Sequence, residues 1–384
     1  MRFIHTADWH LGRSFRQFSL VEDQAHVLSQ LVDLAIHETV DAVVIAGDVY
    51  DRAVPPADAV ALLDDVLARL VLGAGIRVVL IAGNHDSPDR LGFAGRVAEK
   101  QGLAMRGALT HLASVVFDDA FGQVALHPLP YVEPAFARRL PGAEDAHDHQ
   151  SAVSAVMALL RAQWVPGQRN VLVGHAFVAG GTESESERPL SVGGSGAVSA
   201  STFDGYDYVA LGHLHRPQSV GNERVQYSGS LLKYSFNEVD HVKSVSLVEI
   251  GQQGVTSVQR VPLVPRYDVR IVKGTLQELL SVPRGDKSLQ DYVRAVLTDK
   301  GPVLDGIGRL REVYPNVLEL DFSRESDAHK VTGKTGQDHR ERSPDDLFKA
   351  FYRDMLGEEI DDPALHVFHA AAQSALAAGE KQDT

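Results

Sequence analysis

Five short clusters in this chain carry the side chains of a metal centre: Asp8-Trp9-His10, Gly47-Asp48, Gly83-Asn84-His85-Asp86, Gly174-His175 and Gly212-His213-Leu214-His215. Carboxylate, amide and imidazole together form a hard-to-borderline donor set, suited to manganese, iron or zinc in a site of two ions. Calcium would ask for more oxygen. Cysteine is absent, which removes thiolate metal sites, disulfides and a cysteine nucleophile at once. A solitary Asp-x-His or Gly-His is more often a hydrogen-bonded structural residue than a ligand, so the weight lies in the recurrence. Two ions lower the pKa of a water, so a centre of this kind needs no protein nucleophile. No Ser/His/Asp triad is read into the remaining serines and histidines.

Elements must bring these clusters together, and the same one precedes each of them. Residues 3–7, 42–46, 78–82, 171–173 and 208–211 are short apolar runs with the length and composition of buried strands. Between the first two, Val21, Ala25, Leu28, Val32 and Ile36 recur at helical spacing. Beyond Pro55 and Pro56, Val60, Leu63, Val66, Leu67 and Leu70 do the same. Alternating strands and helices predict an α/β fold, in which ligands gather beyond the carboxyl ends of the strands. Asp8 and His10, if extended, point to one side, as do His213 and His215.

At these residues the chain resembles the calcineurin-like metallophosphoesterases, whose motifs D-x-H, G-D, G-N-H-D/E, G-H and G-H-x-H occur in this order. HTADWHLGR at residues 5–13 and YSGSLLKYSFNE at 227–238 resemble more closely the SbcD family, nuclease subunits that work with an SMC-like ATPase of the SbcC type. The resemblance extends over essentially the whole chain and is strongest in residues 1–240. It implies β-sheets flanked by helices, a metal site at strand ends, a small α+β cap and a C-terminal helix pair. It also implies two divalent ions, taken as Mn2+: one on Asp8, His10 and His215, a second on Asn84, His175 and His213, with Asp48 bridging. His85 would then face the scissile phosphate, and Asp86 would orient its imidazole. Some relatives carry a histidine three residues after the bridging aspartate; Asp51 stands there in this chain and is given no catalytic role.

The expected domains are a nuclease unit at 1–266, a cap at 267–322, a linker at 323–342 and a partner-docking helix pair at 343–384. Ser343-Pro344 and Asp362-Pro363 open the two helices. Leu347, Phe348, Phe351, Tyr352 and Met355 line one, and Leu365, Phe368, Ala372 and Leu376 the other. The family implies that this pair grips the coiled coil of the ATPase, and that the chain forms a homodimer through residues 58–70 and 90–98. The implied substrate is DNA, at double-stranded ends and hairpins, cut by exonuclease and endonuclease action. Arg13, Arg16, Arg52, Arg90 and Lys233 lie near the motifs and are candidate phosphate contacts. Yet Lys and Arg number 37 against 51 Asp and Glu, a net charge of −14, so any grip on DNA must be local or shared with the partner. No leader-like segment opens the sequence and no apolar run approaches a membrane span, which places the chain in the cytoplasm, with the nucleoid.

Other features carry less. The ESESE run at 183–187 reads as a solvated loop, the GGSG at 193–196 as a mobile one, and His147 and His149 as surface residues. Trp9 reads as packing near the metals. Two other functions compete: the same centre acting on a cyclic nucleotide or a phosphoprotein, and an inactive DNA-tethering scaffold. The C-terminal third argues against the first, and the completeness of the ligand set against the second.

Overall fold

The computed structural model describes residues 1–187, 196–283, 285–301, 303–323, 344–356 and 359–379. Two six-stranded sheets form its centre. The first runs in the order Gly254–Pro262, Ser244–Gly251, Arg2–Thr6, Ala42–Ala46, Arg77–Ile81, Leu103–Arg106, and is parallel from Arg2–Thr6 onward. The second runs Gln218–Val220, Asn222–Tyr227, Tyr208–Gly212, Arg169–His175, Gly122–Leu129, Val115–Asp119, with Tyr208–Gly212 parallel to both neighbours.

The sheets pack face to face. Phe3, Val44, Val79 and Ile81 of the first meet Val124, Leu126, Val171, Val173 and Tyr208 of the second in one buried core. Helices cover the outer faces. Val21–His37 buries Val27, Leu28, Leu31 and Val32 against the first sheet, and His149–Arg161 buries Val153, Val156, Met157 and Leu160 against the second. Asp148 caps the latter by accepting from the Ser151 N–H at 2.8 Å. Strands covered on both faces must be apolar throughout, so Ala42–Ala46 is buried at every position. The five site strands fall where the apolar runs predict. They belong to two facing sheets rather than to one open sheet.

Beyond them, Val269–Gly274, Tyr292–Leu297 and Val317–Phe322 form a small parallel sheet with Leu276–Leu280 and Gly306–Arg311, around a core of Leu276, Leu279, Val293, Leu297, Leu310 and Val317. Tyr292 fastens this unit to the rest. Its hydroxyl donates to Asp23 at 3.0 Å and its ring meets Phe15 and Phe18. Lys233, Lys243, Asp23 and Tyr292 border a cavity of about 270 Å3 at the junction.

The C-terminal helices, Pro344–Leu356 and Asp362–Gly379, pair through Phe348, whose ring stacks on Phe368 at 3.9 Å, and through His369 on Asp345 at 2.7 Å. The expected linker beyond Ser323, the Ser343 cap and most of the GGSG loop lie outside the described residues. Among the described residues no helix is long and apolar enough to cross a membrane. Of the stretches expected to mediate pairing, helix Ala57–Ala68 buries Ala59, Leu63 and Val66, whereas residues 90–98 expose Phe93 and Val97.

Candidate metal centre

Each of the five apolar strands stops just before, or on, a donor, and after three of them the chain turns by unusual backbone. Asp8, His10, Asp48 and His213 have φ of 53°, 45°, 48° and 107°, the region non-glycine residues rarely adopt. Four of the donors therefore converge through positive-φ backbone, and not through the extended alternation the i, i+2 spacing suggests. Neighbouring loops hold the turns in place. Asp8 N–H donates to Gly47 O at 3.1 Å, His10 N–H to Asp48 O at 2.9 Å, and His213 N–H to the Asp8 carboxylate at 2.9 Å. Two glycines make this approach possible. A Cβ on Gly83 would lie 2.1 Å from Asp48 Oδ1, and one on Gly212 would lie 2.0 Å from Ala46 O.

The donor atoms meet in three overlapping groups, Asp8–His10–His215, Asp8–Asp48–His175 and His10–Asp51–His85, each with ligand atoms within 4.8 Å of one another. Asn84 joins them, with Oδ1 2.9 Å from His175 Nε2 and 3.3 Å from His213 Nδ1. His10 Nε2 lies 3.0 Å from His215 Nε2 and 3.7 Å from Asp48 Oδ2, and His175 Nε2 lies 3.5 Å from the same oxygen. Asp8, His10, Asp48, His175, His213 and His215 are all buried. His175 Nδ1 donates to Ala46 O at 2.9 Å, and a carbonyl only accepts, so its lone pair is at Nε2 when the ring is neutral and faces the Asn84 oxygen. His10 Nδ1 is buried without a hydrogen-bond partner. Carboxylate, amide and imidazole groups crowded in a buried place suit positive charge between them. The residues fit a pair of divalent cations.

A family model described as calcineurin-like phosphoesterase matches residues 1–217, and one described as type 5 capsule protein repressor C-terminal domain matches residues 265–355. The D subunit of the SbcCD nuclease of Staphylococcus saprophyticus is 33% identical over 360 residues, covering 94% of each chain. The chain belongs to the SbcD family of calcineurin-like phosphoesterases. Among solved structures, TT1561 of Thermus thermophilus matches 68% of this chain and 98% of its own, at 15% identity and a TM-score of 0.40. A dimetal phosphatase from Danio rerio matches 69% and 99%, at 15% identity and a TM-score of 0.39.

In this SbcD-family centre, protons and charges are strongly displaced. Burial pulls His213 and His215 down to about 3 and about 4, keeping both neutral. Burial also lowers His175, but the Asp48 and Asp8 carboxylates outweigh it and raise the ring to about 9. A proton on His175 thus stands where a cation belongs.

Several expected residues do something else here. Asp86 does not orient His85: its carboxylate accepts from the N–H groups of Gly83 at 2.9 Å, Val49 at 3.1 Å and Tyr50 at 2.9 Å, tying two motif loops together. The His85 imidazole instead donates Nδ1–H to Asp51 O at 2.7 Å, while its own N–H holds Asp48 Oδ1 at 2.8 Å. Asp51, set aside in the sequence, also brings its carboxylate 3.6 Å from His10 Nδ1. Among the basic candidates, Lys233 is tied to Asp268 at 2.9 Å and to Val239 O at 2.7 Å, and Arg16 is paired with Glu319. Arg13 donates to Ser186 O at 3.0 Å and lies over the Tyr234 ring. Arg52 and Arg90 are exposed.

The ESESE run is a loop with Glu183 and Glu185 exposed as expected, but its end is not simply solvated. Ser186 bonds to His215 Nδ1 at 2.6 Å, and Glu187, raised by burial to about 7, accepts from the His215 N–H at 2.6 Å. Glu238 and Lys243, which carried no reading in the sequence, are buried together behind His215 at 2.6 Å. Glu238 ends the YSGSLLKYSFNE stretch, the one signal that pointed to it. Trp9 packs as expected, its Nε1 donating to Thr6 at 2.9 Å. His147 is exposed, and His149 bonds the Tyr131 hydroxyl at 3.0 Å.

Proposed function

We propose that this chain is the cutting subunit of a two-component DNA-processing machine, hydrolysing phosphodiester bonds at double-stranded ends and in hairpins, by exonuclease and endonuclease action. Asp8, His10 and His215 would hold one ion and Asn84, His175 and His213 the second, with Asp48 shared between them and Mn2+ the metal. The observation that carries this reading is the meeting of seven donors, from five separate loops, in one buried place. When bound, the ions supply activation of a water and neutralisation of charge on the phosphoryl oxygens.

The remaining work belongs to side chains. Because His85 Nδ1–H is given to a carbonyl, Nε2 is the nitrogen free to exchange a proton or a hydrogen bond with the scissile phosphate. Asp86 acts as a positioning residue for the two loops it joins. Arg52 and Arg90 meet the DNA backbone beside the centre. Residues 1–266 are the nuclease unit, 267–322 a cap that helps engage DNA, 323–342 a linker, and 343–384 the element that docks on an SMC-like ATPase. The chain pairs with a second copy through residues 58–70 and 90–98, and works in the cytoplasm at the nucleoid. The test is cleavage of end-labelled duplex and hairpin DNA with Mn2+, with and without the ATPase. Cleavage that requires Mn2+ and is lost in Asp48→Ala is expected; equal cleavage in chelator, or none with metal and partner both present, overturns the reading.

A further inference from the structure

His215 differs from the other donors in how completely it is held. Its main-chain N–H donates to Glu187 at 2.6 Å, and its carbonyl accepts from the Lys243 ammonium at 2.8 Å. Its Nδ1 lies 2.6 Å from the Ser186 hydroxyl, which is bonded in turn to Glu238. Glu238 is wholly buried, and its second oxygen takes a 2.6 Å bond from Lys243, itself buried and also bonded to the Ser230 hydroxyl at 2.9 Å. Arg13 holds the other side of Ser186 through that residue's carbonyl, at 3.0 Å.

The directions of these bonds are fixed by what each group can do. A carboxylate paired with an ammonium only accepts, so the single hydroxyl proton of Ser186 goes to Glu238. The hydroxyl then has only lone pairs left for the ring, and Nδ1 must carry the hydrogen between them. That leaves Nε2 bare and pointed at His10 Nε2, 3.0 Å away.

We infer that Ser186 and Glu238, anchored by Lys243, are positioning residues that fix His215 as the Nδ1–H tautomer with Nε2 presented to a metal ion. The inference deepens the two-ion reading and rests on it for its purpose, while the hydrogen-bond chain stands without metal. It also explains the segment at 183–187, since the loop between the fourth and fifth motifs completes the setting of a ligand in the fifth. Outer partners of this kind change metal affinity by about 10–100-fold when removed.

The experiment uses the full chain, Ser186→Ala and Ser186→Thr. Ring-nitrogen NMR on the metal-free proteins, labelled at histidine and assigned with His215→Gln, reads the tautomer; calorimetric titration with Mn2+ reads affinity; thermal melting reads the fold. The wild type is expected to show His215 as Nδ1–H. Ser186→Ala is expected to lose that preference and to bind one of two Mn2+ ions about 10–100-fold more weakly, with melting close to wild type. Ser186→Thr, which restores a hydroxyl, is expected to recover both. An unchanged tautomer and unchanged Mn2+ affinity in Ser186→Ala overturn the inference, as does a large fall in melting temperature with the tautomer intact, which would make the loop a structural support only. A wild type with the Nδ1–H ring that binds no Mn2+ sinks the two-ion reading, and with it the purpose given to the relay.

Discussion

His85 stands at the edge of the centre, grouped with His10 and Asp51, with its Nδ1 committed to the Asp51 carbonyl and its Nε2 4.0 Å from Asp48 Oδ2. A group placed this way acts on the substrate, so His85→Ala is expected to lower kcat by about 10²–10⁴-fold. Metal content, measured by calorimetry or by emission spectroscopy of the dialysed protein, should stay at the wild-type level; loss of bound metal would make His85 a ligand. His175 gives a second residue-level expectation. Its ring is raised to about 9 by Asp48 and Asp8, and a ligating imidazole must be unprotonated, so metal uptake expels a proton. Below about pH 9 the proton competes and binding weakens as pH falls; above it, this dependence disappears. Mn2+ titrations in buffers of different ionisation enthalpy should therefore report proton release, with affinity gaining roughly tenfold per pH unit from this one group. Uptake without proton release would refute the placement of charge on His175.

At the scale of elements, Asp86 connects the loops after Ala42–Ala46 and Arg77–Ile81 by three N–H bonds. Asp86→Ala leaves three inward-facing donors without an acceptor, each costing about 1–3 kcal/mol if water does not reach it. A marked drop in denaturation midpoint is expected in the metal-free protein. A variant as stable as the wild type but with kcat reduced would return Asp86 to the catalytic role read from its place beside His85. Adjacency in sequence does not set partners: Asp86 takes three backbone N–H groups, while the His85 ring is held by the Asp51 carbonyl. The strands were legible, since strands buried on both faces must be runs of Val, Ile, Leu and Ala. The loops were not, because nothing in the letters Asp8 or His213 announces a positive φ; only the partners across the loop enforce it. Ser186 and Glu187 were misread for a related reason. An acidic run looks solvated unless one knows that the backbone of His215 and a ring nitrogen wait beneath it.

For the whole molecule, charge and the C-terminal pair decide how the centre meets its substrate. With a net charge of −14, and with Arg16 and Lys233, two of the five basic candidates, bound to acids of their own chain, there is little excess positive charge to release counterions from DNA. The isolated chain is expected to hold duplex DNA weakly and with a shallow salt slope in filter-binding or anisotropy titrations; a steep slope would reveal a basic surface elsewhere. The proposed remedy is a partner, and the helix pair tells which residues are free to reach one. Phe368 is taken up in the stack on Phe348, whereas Phe351 and Val367 are 58% and 71% exposed. The two aromatic positions should therefore behave differently. Phe368→Glu sets a charge against the Phe348 ring and is expected to split the pair, with loss of helix signal and of binding to the ATPase together. Phe351→Glu leaves the stack alone, so helix content should persist while the ATPase no longer co-purifies, since an unpaired carboxylate is costly to bury in an apolar groove. Metal-dependent cleavage of simple duplex by either variant should match the wild type, as no proposed ligand lies beyond His215. Full co-purification with Phe351→Glu would move the docking face elsewhere, and loss of basal cleavage would mean that the pair packs on the nuclease unit itself.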